Sequence, residues 1–372
     1  MTAQTNAQPT TSTVMPGPAG APSPDAPAAG TSSPDAPSTD APATMRAVTR
    51  DRYGSAAVLS VSEVDRPTIG AGQVLVDVAA AGVDRGAWHL ITGTPLLIRL
   101  MGFGLLRPKQ PVPGAEVAGR VVQVAADVTR LQPGDRVFGV ATGAWAQYAV
   151  AEADKLAVTP DGVSDLDAAV APISGATALE ALTDVGQVRA GQSVLVLGAS
   201  GGVGTWAVQL AKSLGATVTG VASTAKLDLV RSLGADHVVD YTTTDALDTD
   251  ERYDLVVDIG GRNPVLRLRR VLTATGTLVV VGGEGGGRIT GGFGRGMRAV
   301  ALSAFVSQRL TMFVSSEHHS IIERVGAFLA SGDAVPAISA TVDLAGVPDA
   351  IRDLEAGRVA GKVAVAVDPP TT

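Results

Sequence analysis

"VLVLGASGGVGTWAVQLAKSLGATVTGVASTAK", residues 194–226, runs from a short apolar strand through a glycine turn and a helix into a second strand. Gly198, Gly201, Gly202 and Gly204 crowd the turn. Val203, Trp206, Ala207, Leu210, Ala211 and Leu214 then recur at helical spacing, which gives the helix one apolar face. In the register of the pattern G-x-G-x-x-G, the second and third glycines fall on Gly201 and Gly204, and Ala199 stands at the first. A glycine at Gly201 lets the backbone approach a pyrophosphate, and one at Gly204 lets the helix lie tightly on the strand. The unpaired N–H groups and positive dipole end of the helix then face the anion. The strand before, the helix after and the second strand all agree. The turn Ala199, Ser200, Gly201, Gly202, Val203 and Gly204 is therefore predicted to hold a dinucleotide, the plainer reading being a bare turn in a parallel sheet.

The end of the second strand selects between dinucleotides. An NAD site places Asp or Glu about 20 residues beyond the glycines to hold the ribose 2′-OH. Here that stretch is Ala222-Ser223-Thr224-Ala225-Lys226, and Asp228 lies inside the next predicted helix. Two hydroxyls and an ammonium suit a 2′-phosphate, through charge-assisted hydrogen bonds. The plainer reading is a Ser/Thr helix cap beside a solvated lysine, and the two uses are compatible. NADPH is the expected cofactor.

The chain around this unit divides by texture. Residues 1–44 hold nine of the 22 prolines, no aromatic residue, and the near-repeats "SPDAPAAG" and "SPDAPSTD". Such a segment buries too little apolar surface to offset its ordering entropy, and a disordered tail is expected. Residues 45–167 carry short β-branched runs punctuated by Gly and Pro, such as "GQVLVDVAAAGV" and "LQPGDRVFGVA", which predict a β-rich domain, a small barrel or sandwich. From 168 to 312, apolar runs at 193–197, 217–221, 237–240, 255–258 and 278–281 alternate with helices, among them 226–233 and "PVLRLRRVL". That alternation predicts an α/β domain with a doubly wound parallel sheet covered on both faces. Residues 313–372 end in "GKVAVAV", a strand expected to return to the first domain.

Composition removes several classes. The 372 residues carry a formal net charge of −7, with 45% hydrophobic and 17% charged residues, so the dense basic footprint of a nucleic-acid protein is missing. Cysteine is absent and only His89, His237, His318 and His319 are present. No thiol nucleophile, disulfide or thiolate zinc ligand is available, no HExxH spacing occurs, and no metal is expected. The uncharged run 190–211 is long enough to raise the question of a membrane span, but five glycines interrupt it. No membrane partner is expected, and without a basic, apolar leader the cytoplasm is the expected location.

The stretches "AAAGVDRGAWHLITG", "PVPGAEVAGRVVQVAADVTRLQPGDRVFG", "GATALEAL", "GQSVLVLGASGGVG", "VRSLGADHVVDY" and "GKVAVAV" together resemble the medium-chain dehydrogenase/reductase superfamily, in its zinc-free, quinone-oxidoreductase-like branch. The resemblance spans nearly all of 45–368. It implies a GroES-like domain followed by a Rossmann domain, and NADPH-dependent reduction of a quinone or of an alkene conjugated to a carbonyl. It implies that Lys226 and Tyr241 hold the 2′-phosphate, with Ser223 and Thr224 beside them. It places Thr177, Gly282 and Gly283 near the nicotinamide, and Gly361 and Lys362 at a C-terminal cofactor contact. Where the branch often has Asn in a "GVN" motif this chain has Asp84, whose carboxylate would oppose a developing negative charge unless protonated or turned away.

Hydride delivery to a conjugated acceptor needs orientation and exclusion of water more than a metal. Asp84, Trp88 and His89 are the acceptor-side candidates; the plainer reading of Trp88 is core packing, that of His89 a packed or solvated histidine on a short helix, and that of Glu116 a structural role. The glycine-rich stretch 282–296 reads as a lid or a flexible loop, and "MRAVALSAFVSQRLTMFV" as a core or dimer-contact segment. The adjacent histidines of "EHHS" are expected to face different ways on a surface loop. A homodimeric NADPH-dependent reductase is the expected protein. The alternative is an NADPH-binding sensor or binding protein with little turnover on the same fold.

Overall fold

Alternating β-branched residues and Gly/Pro turns build the first part of the chain. The computed structural model describes residues 43–284 and 286–367. Apart from its last two positions, the expected tail 1–44 lies outside these residues. An antiparallel pair, β1 (Thr44–Thr49) and β2 (Ser60–Asp65), leads into β3 (Gln73–Val83). Helix α1 (Arg85–Thr92) follows β3 directly, started by the Asp84 side chain and stopped by Gly93 in the left-handed region. Next come β4 (Glu116–Val124), β5 (Arg136–Val140), β6 (Tyr148–Glu152) and β7 (Leu156–Val158).

Helices α2 (Asp165–Val170) and α3 (Pro172–Glu180) carry the chain into the second sheet. There follow β8 (Ser193–Leu197), α4 (Gly202–Ser213), β9 (Thr217–Ala222), α5 (Leu227–Ser232), β10 (His237–Asp240), β11 (Tyr253–Asp258), α6 (Val265–Arg270), β12 (Leu272–Val280), α7 (Phe293–Ser303) and β13 (Arg309–Met312). All pairings in this six-stranded sheet are parallel, in the order β10-β9-β8-β11-β12-β13. That order reverses direction between β8 and β11, the crevice where such sheets bind ligands. Helix α8 (His319–Ser331), β14 (Ile338–Val342), α9 (Val347–Glu355) and β15 (Lys362–Ala366) complete the chain.

The return of the C-terminal strand is borne out: β15 pairs antiparallel with β3, and β14 adds to its far side. The seven-stranded sheet runs β14-β15-β3-β4-β5-β7, with β6 also on β3. The mixed α/β fold, a GroES-like β-rich sheet plus a Rossmann parallel sheet, is thus as expected. Trp145, fully buried, donates from its indole N–H to the Gly82 carbonyl at 2.9 Å and anchors the first core. Trp206, equally buried, sits in a second core that runs from α4 and β8 into α2, α3 and α8.

Two expectations change. His318 ends the expected surface loop, where its ring caps α8 by accepting from the Ser320 N–H, but it does not face away from His319: the two ring centres lie 4.2 Å apart, tilted at 40°. The glycine-rich stretch 282–296 ends inside α7, and the apolar segment after it is divided. Ala299 is buried, whereas Met297, Val300 and Phe305 are exposed. Among the described residues no helix is long and apolar enough to cross a membrane.

Candidate active site

A cleft of about 780 Å³ opens at the sheet's switch point, within the range of small-molecule sites. Ser200, Gly201, Gly202 and Val203 line it at the N-terminus of α4. Gly198 adopts a φ of +90° to turn the chain out of β8. A methyl at Gly204 would stand 2.1 Å from the Gly198 carbonyl oxygen, so that position exists for close packing of helix on strand. At Gly201 the nearest atom to such a methyl is 3.6 Å away and the remaining space is open to the cleft. Ala199 is fully buried and acts as packing beneath the turn. The Gly361 N–H donates to the Ser200 carbonyl at 2.7 Å, which ties the start of β15 to the back of the turn. A helix N-terminus with free N–H groups, an unobstructed glycine and a cleft of this volume fit a dinucleotide pyrophosphate.

At the far end of β9 the side chains are arranged otherwise than the sequence implied. Lys226 lines the cleft, but its ammonium donates to the carbonyls of Gly357 (2.7 Å) and Val359 (2.6 Å), reaching the segment before β15. Burial and the nearby Arg85 charge hold its pKa below the usual lysine value. Thr224 donates to Asp240 and shares a 2.9 Å bond with Thr242, away from the cleft wall. An acid therefore does stand at this corner, supplied by the end of β10, whose register sets Asp240 opposite Ala222. The hydroxyls of Thr224 and Thr242 keep Asp240 below the ordinary carboxylate range. Tyr241 and Thr242 line the cleft, whereas Ser223, Thr224 and Asp240 do not.

At the other end, Asp84 Oδ1 accepts the Ala87 N–H at 2.8 Å, and its buried Oδ2 has no partner. The carboxylate of "GVD" is thus half committed to capping α1. Close by, Glu116 and Lys362 form a fully buried ion pair, and Glu116 Oε1 accepts the Ile173 N–H at 3.1 Å. Burial pushes the Glu116 carboxyl up to about 7, against the opposing pull of Lys362. Gly82 leaves room for this pair, since a methyl there would stand 2.3 Å from Glu116 Oε2.

Trp88 packs against the first core, with the Arg85 guanidinium 5.3 Å above its ring and the His89 ring at its edge. It lines no part of the cleft. His89 faces an adjoining apolar cavity of about 240 Å³ whose wall includes Gly282, Gly283, Phe293 and Met312. Its Nδ1 lies 2.7 Å from the Thr94 carbonyl oxygen and its Nε2 3.4 Å from Glu284. Glu284 lines the large cleft, so His89 and Glu284 form the partition between the two spaces. Burial works to raise the Glu284 carboxyl, but the His89 bond and the charges of Arg85, His89 and Arg262 outweigh it. Thr177 is half-buried on α3 and lines neither space.

Several participants were absent from the sequence reading. Arg85, Arg262 and Glu284 line the cleft, and no local motif marks them. Arg295 binds the buried Asp258 at the end of β11 and donates to the Gly282 carbonyl at 2.6 Å, fixing the segment between the two spaces. Asp258 has a readable signal, a lone acid closing an apolar strand.

Comparison with known proteins agrees with this architecture. Residues 70–161 match the family described as "Alcohol dehydrogenase GroES-like domain", and residues 233–365 match "Zinc-binding dehydrogenase". The zinc of that second description finds no donor set here: the chain has no cysteine, and no cluster of three or more His, Asp or Glu stands together among the described residues. The chain is 33% identical to a 2-methylene-furan-3-one reductase of Solanum lycopersicum over 340 residues, 87% of this chain and 79% of that one. It is 32% identical to an NADPH-dependent alkenal/one oxidoreductase of Arabidopsis thaliana, covering 87% and 80%. The quinone oxidoreductase of Coxiella burnetii superposes with a TM-score of 0.78 at 26% identity, over 87% of this chain and all of that one. The glycine turn at the switch point, the returning C-terminal strand and these matches place the chain in the zinc-free, quinone-oxidoreductase-like branch of the medium-chain dehydrogenase/reductase superfamily.

Proposed function

We propose that the protein transfers hydride from NADPH to a quinone or to an alkene conjugated to a carbonyl, without zinc. The observation that carries the cofactor choice is the pair of cations, Lys226 and Arg85, that line one cleft and repel each other there. A 2′-phosphate would relieve that repulsion, and Tyr241 and Thr242 stand beside it on the same wall. Ser223 and Thr224 act one step behind, the Thr224 hydroxyl holding Asp240. The second reading is NADH, for which Asp240 would have to turn from Thr224 and Thr242 into the cleft to take a ribose 2′-OH. Lys226→Glu should weaken NADPH binding at least about tenfold more than NADH binding, a difference near 1.4 kcal/mol. Equal losses by titration of protein fluorescence would favour the second reading.

When bound, the reduced nicotinamide supplies the hydride from its C4. The chain's residues orient and protect that transfer. The N–H groups of Gly202 and Val203 at the start of α4 would bind the pyrophosphate, with the bare Gly201 leaving room for its approach, while Lys362, held by Glu116, lines the floor of the cleft. The Gly282–Gly283 backbone, braced by Arg295, sets the wall against which the ring lies. His89, held by the Thr94 carbonyl and by Glu284, walls the apolar cavity, and the proton that completes the reduction comes from solvent. Trp88 supports His89 from behind, edge to face at 4.8 Å. NADPH oxidation in the presence of a panel of quinones, enones and enals tests the whole reading. Tight NADPH binding with no oxidation by any acceptor would favour the sensor instead.

The assembly we infer is a homodimer across the free edge of β13, where Phe305 and Val314 are exposed at 85% and 84%. Sedimentation velocity of Phe305→Asp, expected to be monomeric, checks it. Residues 45–167 with 313–372 are taken as the acceptor-side domain and 168–312 as the cofactor domain.

A further inference from the structure

Two segments far apart in sequence meet at the mouth of the apolar cavity. The N–H groups of Leu96 and Leu97 donate to the carbonyls of Arg288 (2.8 Å) and Ile289 (2.9 Å). Around this junction Leu100, Phe103, Leu105, Leu106, Ile289 and Phe293 are all exposed, Leu106 at 85% and Leu100 at 70%. Soluble proteins rarely leave so much contiguous apolar surface uncovered without a binding role. Met101 is 68% exposed and also lines the cavity, so the collar and the cavity are continuous.

The charge of the same two segments is one-sided. Residues 85–115 contain Arg85, Arg99, Arg107 and Lys109 and no acid, and residues 285–316 contain Arg288, Arg295, Arg298 and Arg309 and no acid. The chain as a whole carries a net charge of −7, so this is a local reversal of sign. Arg107, Lys109, Arg288 and Arg298 are exposed and make no ion pair among the described residues. Exposed leucines and phenylalanines rimmed by free cations are the chemistry that seats a protein on an anionic bilayer. At the collar itself a second copy fits poorly, because a two-fold contact there would set Arg107, Lys109 and Arg288 against their counterparts with no acid in residues 95–109 or 286–291.

We propose that this collar docks the protein on an anionic lipid surface, so that an acceptor with an apolar tail passes from the bilayer into the cavity beside His89. The acceptor's part in this rests on the reductase reading above, while the docking itself does not. Among the described residues no helix is long and apolar enough to cross the bilayer, so the contact is peripheral. It departs from the sequence expectation of no membrane partner only in placing the protein against a bilayer.

The test is co-sedimentation of the full chain with phosphatidylcholine vesicles, with and without phosphatidylglycerol. Binding is expected only with phosphatidylglycerol, and should fall at least about fivefold on raising the salt or in the Leu105→Asp/Leu106→Asp variant. These leucines line neither the cleft nor the cavity, so NADPH oxidation by a short water-soluble quinone should be unchanged, which also shows that the variant is folded. Reduction of a vesicle-embedded quinone with a long isoprenoid tail should drop about fivefold. Equal sedimentation with both lipids, an unaffected variant, or self-association abolished by the variant without vesicle binding would overturn the docking. Vesicle binding without turnover of any quinone, enone or enal supports the docking and overturns the reductase reading alone.

Discussion

Two glycines three residues apart do different work, and substitution separates them. Gly201→Ala finds room within the fold but sets a methyl where an anion would approach, so it should weaken NADPH at least about tenfold with an unchanged melting midpoint. Gly204→Ala must displace the Gly198 carbonyl and should cost about 1–3 kcal/mol of stability by urea unfolding. Asp84 lines the cleft and offers a test of its electrostatics. Asn keeps the cap of α1 and removes the charge, so Asp84→Asn should raise turnover of an anion-forming acceptor about fivefold, the equivalent of ~1 kcal/mol. A fall in turnover would show that the carboxylate assists. At this scale the glycine register was readable from sequence, and the Asp84 departure was visible as a residue type. Its division between a cap and an unpartnered oxygen depends on where α1 begins.

Elements place groups that no local pattern announces. The end of β11 delivers Asp258 to Arg295 at the start of α7, and burial pushes the Asp258 carboxyl up while Arg295 opposes that shift. Arg295→Met leaves the carboxylate buried and unpaired, and should cost about 3–5 kcal/mol. Adding Asp258→Asn should recover more than half of it, as read from urea unfolding. The β9–β10 pairing likewise brings Asp240 to Thr224, sixteen residues away. The sequence reading sought the ribose acid only after β9, because the adjacency of parallel strands is not written in either strand.

Across the whole molecule, Glu116 on β4, Lys362 on β15 and the Ile173 N–H on α3 join the first sheet, the returning strand and the approach to the second sheet. A carboxyl raised to about 7 binds its proton more tightly in the folded chain than in the unfolded one. Its contribution is therefore fullest at low pH and declines as pH rises from about 4.5 through 7. Lys362→Met removes the group that opposes the rise. The cost of that change should be small at pH 5 and grow to about 3 kcal/mol at pH 8. A cost independent of pH would place the proton elsewhere. Lys226 makes a second long-range tie, from the end of β9 to the carbonyls before β15.

The amino-acid sequence by itself determined the alternation of elements, the glycine turn on α4, the returning strand, and the absence of cysteine donors for zinc. These follow from side-chain periodicity, from missing side chains and from composition, all of which are local. Only the tertiary structure decided that Arg85, Arg262 and Glu284 share the cleft, that Thr224 serves Asp240, and that two acid-free segments meet at the mouth of the cavity. Each of these depends on which strands lie side by side and which loops meet above their ends, and that is set by packing of the whole chain.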